Sequence, residues 1–241
     1  MFEKNCIHYR VFGVGECTSD AVNKINALNR KSLSAKVVIG DEFPEPKAND
    51  LLALILVDGD TENADSLAQL YADSGVFRMI ITTGNEVYDT TSATHVETKE
   101  DLFKAAKAIL DILFNQQIIA LGLHDIAEVL SGNGHFRIIE EVGHTKCARV
   151  QDAINKIEPK LLPLQDDENI ERDILIALYT RQDAHPALKI TELSALSEFI
   201  AKLPSDLNVI WGEGYDNTIT DDSVKMILLV AGDKRHKYDC R

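Results

Sequence analysis

A chain of 241 residues is long enough for one large domain or two small ones with cores of their own. Hydrophobic residues at 45% and charged residues at 27% describe a folded protein rather than a disordered one. The formal net charge of -14 repels phosphate backbones and anionic lipid alike, which argues against nucleic acid as a partner and for solubility. Cys6, Cys17, Cys147 and Cys240 are far apart and form no C-x-x-C pair, so neither a zinc site nor a disulfide framework is expected, and a reducing compartment fits. Residues Met1 to Arg10 contain no apolar signal region. The longest apolar run, Leu51 to Val57, is too short to span a bilayer. A cytoplasmic location without a membrane span is expected.

The first third alternates strand and helix patterns. Ile7 to Phe12 reads as a short strand ending at Gly13-Val14-Gly15, and Val22, Ile25 and Leu28 follow at helical spacing. Ala35 to Ile39 predicts a second strand, and residues 41 to 50, with Pro44 and Pro46, a loop. Leu51 to Val57 is continuously apolar, as in a strand of a parallel sheet covered on both faces. Leu67, Leu70 and Tyr71 mark a helix, and Phe77 to Thr82 another strand. Residues 84 to 97 carry no period and predict no element. Thr98 and Asp101 resemble a capping box, followed by a long helix with Leu102, Ala106, Ile109 and Leu113 on its apolar stripe. Asn115-Gln116-Gln117 interrupts that stripe and marks the expected domain boundary.

The second half repeats the alternation. Asp125 to Leu130 predicts a short helix, residues 131 to 134 a turn, and Phe136 to Val142 a strand. Val150, Ile154 and Ile157 predict a helix ending near Pro159, and Asp173 to Tyr179 a strand. Thr191 is the expected cap of a helix with Leu193, Leu196, Ile200 and Leu203 inward. Asn208 to Gly212 and Val224 to Val230 predict closing strands on either side of a polar turn, Gly214 to Asp222. The element order implies an α/β fold with a mostly parallel sheet in its first part.

Two stretches resemble the FtsZ branch of the tubulin superfamily. Val11-Phe12-Gly13-Val14-Gly15, followed by Asp20-Ala21-Val22-Asn23-Lys24-Ile25, keeps the frame of that family's first loop, V-I-G-V-G and then N-A-V-N-R-M. The glycine run between them has become Glu16-Cys17-Thr18-Ser19. Near the other end, Asn208-Val209-Ile210-Trp211-Gly212, Asp216, Asp222 and Val230-Ala231-Gly232 are similar to the family's closing N-x-I-x-G, D, D and A-T-G pattern. The resemblance implies a shortened nucleotide-binding-type α/β domain at residues 1–97, a central linking helix at 98–115 and a smaller α/β domain at 116–241.

It also implies a nucleotide site taken apart. A phosphate pocket needs bare backbone N–H groups that glycines let the ligand approach. The family's G-G-G-T-G-T-G loop corresponds to Asp58-Gly59-Asp60-Thr61-Glu62-Asn63, with one glycine and three carboxylates. The vestigial pocket therefore comprises Gly13, Gly15, Asp20, Asp58, Gly59, Asp60 and Glu62, and Glu16 adds a further acid. Like charges 4 Å apart repel by about 4 kcal/mol near an effective dielectric of 20, so a carboxylate cluster there rejects a triphosphate. The aromatic and Asp that hold guanine align with His95 and Lys99, and a lysine cannot accept from the base. The hydrolysis loop N-L-D-F-A-D aligns with Ala120-Leu121-Gly122-Leu123-His124-Asp125, which keeps only the second carboxylate, Asp125.

No catalytic residue, cofactor or metal is therefore assigned. The expected function is that of a non-catalytic FtsZ-like protein acting through a protein partner or self-association. The alternative is a small-molecule or nucleotide binder, or an enzyme, that reuses the cleft. Asp58-x-Asp60-x-Glu62 reads either as a hard-cation site or as a solvated helix N-terminus, the latter favoured. Gly13-x-Gly15-x-x-Thr18 with Asp41 is a poor dinucleotide fingerprint lacking its third glycine. Cys17 lies before a helix whose dipole can lower its pKa, but no His or Arg lies close in sequence to make it a nucleophile, and an inert thiol is expected. His124, His135 and His144 are too loosely spaced for a metal motif, and Trp211 reads as core.

Overall fold

A computed structural model describes residues 7–83, 93–98, 101–130, 136–161, 173–183, 188–204, 207–219 and 221–231. The chain forms two compact units, Met1–Lys107 and Ala108–Arg241.

The first unit carries one five-stranded sheet: β1 (His8–Val14), β2 (Leu33–Val38), β3 (Asp50–Val57), β4 (Phe77–Thr82) and β5 (Thr94–Glu97). All its pairings are parallel, in the order β2-β1-β3-β4-β5. α1 (Ser19–Ala27) and α2 (Thr61–Asp73) make the crossovers. β3 sits mid-sheet and is buried from Leu52 to Val57, as its apolar run requires. Phe12, Ile55, Leu67, Tyr71 and Ile80 form a core cluster, with the Phe12 and Tyr71 rings 5.2 Å apart. β5 falls where no element is expected from the sequence. A central parallel strand needs an apolar run, but the edge strand Thr-His-Val-Glu buries only Val96 among its described hydrophobic side chains.

α3 (Leu102–Phe114) begins one residue after Asp101, whose carboxylate accepts from the Lys104 N–H at 2.8 Å. Asp101 is thus the cap, rather than the partner of a cap at Thr98, whose N–H instead donates to the Thr82 carbonyl at 2.8 Å. The division between the units falls within this helix.

The second unit contains β6 (Gln116–Ile119), α4 (Leu123–Val129), β7 (Phe136–Gly143), α5 (Arg149–Leu161), β8 (Asp173–Thr180), α6 (Ile190–Lys202), β9 (Asn208–Tyr215) and β10 (Val224–Ala231). Its sheet order is β6-β9-β8-β10-β7, parallel between β8 and β9 and antiparallel elsewhere. The Gln-rich interruption at residue 116 is therefore a strand. It pairs with β9 beside Gly214, where a Cβ would lie 2.5 Å from the Gln116 carbonyl. α5 continues through Pro159 to Leu161, because a proline in the last turn forfeits only one hydrogen bond near a helix end. Thr191 lies inside α6. The cap there is made by Glu192, which accepts from the Lys189 N–H at 3.0 Å. Phe199, not Leu193, joins Leu196 in the core, and Trp211 packs against the same cluster. The turn at 131–134 lies outside the described residues.

Two buried ionic groups tie this unit together. Lys225 on β10 donates to Asp111 of α3 at 2.8 Å and to Asp216 after β9, with its ammonium 5.4 Å from the Tyr179 ring centre. Burial works against both charges. Even so, Lys225 and the N–H and hydroxyl of Thr218 hold the Asp216 carboxyl down at about 2, while the two carboxylates raise Lys225. Arg149 meets Glu192 through two bonds of 2.8 and 2.7 Å and donates to the Asp222 carbonyl at 3.0 Å.

Lys225→Met would strand two buried carboxylates and should cost about 3–5 kcal/mol of unfolding free energy, measured by urea titration. Asp216 has a folded pKa below its ordinary 3.8, so its contribution is present above pH 4 and lost as pH falls towards 2. Acid titration of the wild type should show a loss of about 2 kcal/mol across that window, absent from Asp216→Asn.

Candidate functional site

The carboxyl ends of parallel strands are where open α/β sheets hold ligands. In the first unit that edge is formed by β1 running into α1 and by β3 running into α2. A single turn of 3-10 helix, Glu16–Thr18, joins β1 to α1. Gly13 lies buried in β1, where a Cβ would come within 2.5 Å of Thr18 Oγ1 and 2.7 Å of Val22 Cγ2. Its bare backbone is what lets the start of α1 pack onto the strand. Gly15 has φ of +102° and touches β3's extension: a side chain there would collide with the Asp58 carbonyl oxygen.

This close approach is held by hydrogen bonds. The Asp58 N–H donates to the Val14 carbonyl at 3.0 Å, continuing the β1–β3 ladder past its end. The Asp58 carboxylate then reaches back across the loop, and the Cys17 N–H donates to its Oδ2 at 3.3 Å. Thr18, fully buried, donates from its hydroxyl to the Gly15 carbonyl at 2.9 Å and fixes the turn. A carboxylate oxygen here does what an oxyanion of a bound phosphate does at a helix N-terminus: it accepts from a loop N–H.

Thus Gly15 and Asp58 of the expected pocket are brought together, with Cys17, and the acids Asp20, Asp60 and Glu62 are turned elsewhere. Asp60 caps α2, accepting from the Asn63 N–H at 3.4 Å and its side-chain amide at 2.9 Å. Glu62 is exposed on the first turn of that helix, and Gly59 turns with φ of +78° into open space. Asp20, exposed, pairs with Lys24 at 2.6 Å. Among the described residues no three acidic, histidine or cysteine side chains form a group able to hold a metal, so Asp58, Asp60 and Glu62 do not make a cation site. Instead of three carboxylates crowding one spot, one occupies the loop and one caps a helix.

Cys17 lies beside two carboxylates. Its thiol is pushed up, not down, first by a hydrogen bond to Asp58, then by the charges of Asp58 and Glu16 with a little burial. The nearby carboxylate outweighs the helix dipole. His95 sits on β5 with Nε2 3.0 Å from the Thr82 hydroxyl, and Lys99 lies outside the described residues, as does His135. In the second unit, Asp125 is engaged by its own helix, accepting from the Gly122 N–H at 2.7 Å as the cap of α4. His144 pairs with Asp221 at 3.5 Å. The sequence reading missed Lys225 as the partner of Asp216, and Asp111 as the second acceptor of Lys225. An Asp in the apolar stretch Ile109–Ile112 and a Lys in the apolar run of β10 were the available signals.

The chain is similar to solved structures of FtsZ and TubZ. A mutant FtsZ from M. jannaschii matches with a TM-score of 0.63 at 15% identity, covering 93% of this chain and 91% of that one. This chain has an FtsZ-like fold. An empty FtsZ dimer from M. jannaschii matches at 0.61 and 15% identity, covering 94% and 89%. A GTPγS-form protofilament of TubZ from Bacillus thuringiensis serovar israelensis matches at 0.61 and 7% identity, covering 94% and 85%. At such identities the FtsZ likeness speaks for the fold alone. No protein-family model and no curated protein matches the sequence. No helix among the described residues is long and apolar enough to cross a membrane.

The contact between Asp58 and Cys17 has a direct consequence. Asp58→Asn removes the charge that raises the thiol, so alkylation of Cys17 by iodoacetamide should speed up and its pH–rate profile should move to lower pH. Peptide-resolved mass spectrometry separates Cys17 from Cys147, which is also exposed, and from Cys6 and Cys240.

Proposed function

We propose that this protein is a divergent member of the tubulin/FtsZ superfamily that has given up nucleotide chemistry and acts by protein–protein association. In this reading residues 1–97 and 116–241 are its two domains and 98–115 the helix between them. The observation that supports it is the Asp58 carboxylate on the Cys17 N–H, at the loop where an FtsZ-like fold would cradle phosphate. A phosphate would have to displace a tethered anion and then sit beside it. At 4 Å and an effective dielectric near 20 that repulsion is about 4 kcal/mol, roughly a thousandfold in affinity.

The rest of the machinery points the same way. Asp125 is committed to its own helix cap, so it is poorly placed to orient a water for hydrolysis. The matched TubZ structures are protofilaments and one matched FtsZ structure is a dimer. Association without nucleotide turnover keeps the part of that behaviour that needs only a surface. A head-to-tail contact between identical copies would be open-ended and build a filament, and a contact with another protein would make a scaffold.

Thermal unfolding with and without millimolar GTP or GDP and Mg²⁺ tests the nucleotide half of the proposal. A ligand at 100 times its dissociation constant adds about 2.7 kcal/mol, a rise of roughly 5–10 °C for a chain of this size. No nucleotide-specific rise is expected, and a clear one would overturn the reading. Sedimentation velocity across a concentration series tests self-association. Assemblies that form equally with and without GTP support it, whereas GTP-dependent assembly would restore the nucleotide.

A further inference from the structure

Among the described residues only β1 pairs with β2, which forms an edge of the first sheet. An open edge presents unpaired N–H and C=O groups to any other strand, including the same strand of a second copy. The N–H and C=O of one residue leave a strand on the same side, and successive residues alternate sides. Ala35 is one of the residues whose backbone faces away from β1. Its N–H donates to Asn26 Oδ1 at 3.1 Å, and its carbonyl accepts from Asn26 Nδ2 at 3.0 Å. The outward N–H of Leu33 is taken as well, by the Arg30 carbonyl at 3.2 Å.

Asn26 lies on the exposed face of α1, nine residues before Ala35. Its primary amide carries the donor and acceptor of a peptide group, so it reproduces both bonds of a missing neighbouring strand. Aspartate could only accept, and leucine could do neither. The helix that covers one face of the sheet thus also closes the middle of its edge.

We propose that Asn26 is an edge guard: it occupies the Ala35 backbone and so prevents two copies of this chain from joining β2 to β2. Without the guard, two edges can pair antiparallel about a two-fold axis. Such a contact is closed and gives a dimer rather than a filament. The inference does not rest on the functional reading above. It concerns one edge of one unit, and it directs any productive association to another surface.

Hydrogen exchange of the wild type followed by NMR tests the guard directly. By the alternation along β2, Val37 also faces outward, and it lies beyond the reach of the two Asn26 bonds to Ala35. The Ala35 amide should exchange at least about tenfold more slowly than that of Val37. Equal or faster exchange at Ala35 overturns the proposal, whatever the variants do. Asn26→Leu, kept only if its circular dichroism and cooperative melt match the parent, should add a dimer to the parent's sedimentation profile. Adding Ala35→Pro, which removes the exposed donor, should abolish that extra species. An Asn26→Leu profile identical to the parent's, or an extra species that survives Ala35→Pro, would also overturn it.

Discussion

The first N–H groups of an α-helix have no partner within the helix, and this protein satisfies them with carboxylates of its own. Asp60, Asp101, Asp125 and Glu192 each accept from a backbone N–H at the start of the helix to which they belong. Asp152 near the start of α5 reaches the N–H groups of His144 and Thr145, and this backbone bonding holds its pKa down against burial. The acidity of the chain is thus not only a solvating skin. Part of it is directed at the positive ends of helix dipoles, where each acid is worth some tenths of a kcal/mol to about 1 kcal/mol.

Asp58 is the case that separates structure from function. It belongs to the end of β3 and serves the loop before α1, a helix formed earlier in the chain. A local cap stabilises its own helix wherever that helix goes. A cap supplied by a neighbouring strand ties two separate loops together instead. The positive φ of Gly15 and its bare contact with Asp58 make that arrangement possible, because a side chain would push the loops apart. A glycine that in a phosphate loop admits a ligand here admits the chain itself.

The legibility of this fold follows from the same physics. Elements with a strong period or a continuous apolar run, such as β3, β8 and α5, stand out in the sequence because burial on one or both faces dictates it. β5 and β6 do not, because short edge strands need few apolar residues and are specified by the strand they pair with. The helix starts at Asp101 and Glu192 were misplaced by one or a few residues in favour of threonines, since a carboxylate and a hydroxyl both satisfy the same N–H. At the candidate site the sequence shows three acids close together, Asp58, Asp60 and Glu62. Charge repulsion was a natural reading of that cluster, yet only geometry distinguishes an acid aimed into the loop, Asp58, from one turned to its own helix, Asp60.

The Asp111–Lys225–Asp216 group shows the limit of reading residues one at a time. Asp216 is noticeable as part of a family-like pattern, yet its partner Lys225 lies 9 residues away on β10, and that lysine's other acceptor, Asp111, lies 114 residues from it on α3. Two carboxylates around one ammonium leave a buried net negative charge, which is costly unless hydrogen bonds share it. Thr218 donates both its N–H and its hydroxyl to Asp216, at 2.9 and 2.7 Å, and the Tyr179 ring lies against the ammonium. Apolar residues of similar volume could fill the same space, but they would not fix the direction of α3 against two particular strand ends. The same choice is made at the Asp58 loop and the Asn26 edge: a polar group is spent inside the chain where it could have met something outside it. At each place the internal bond sets what an outside group would have to displace.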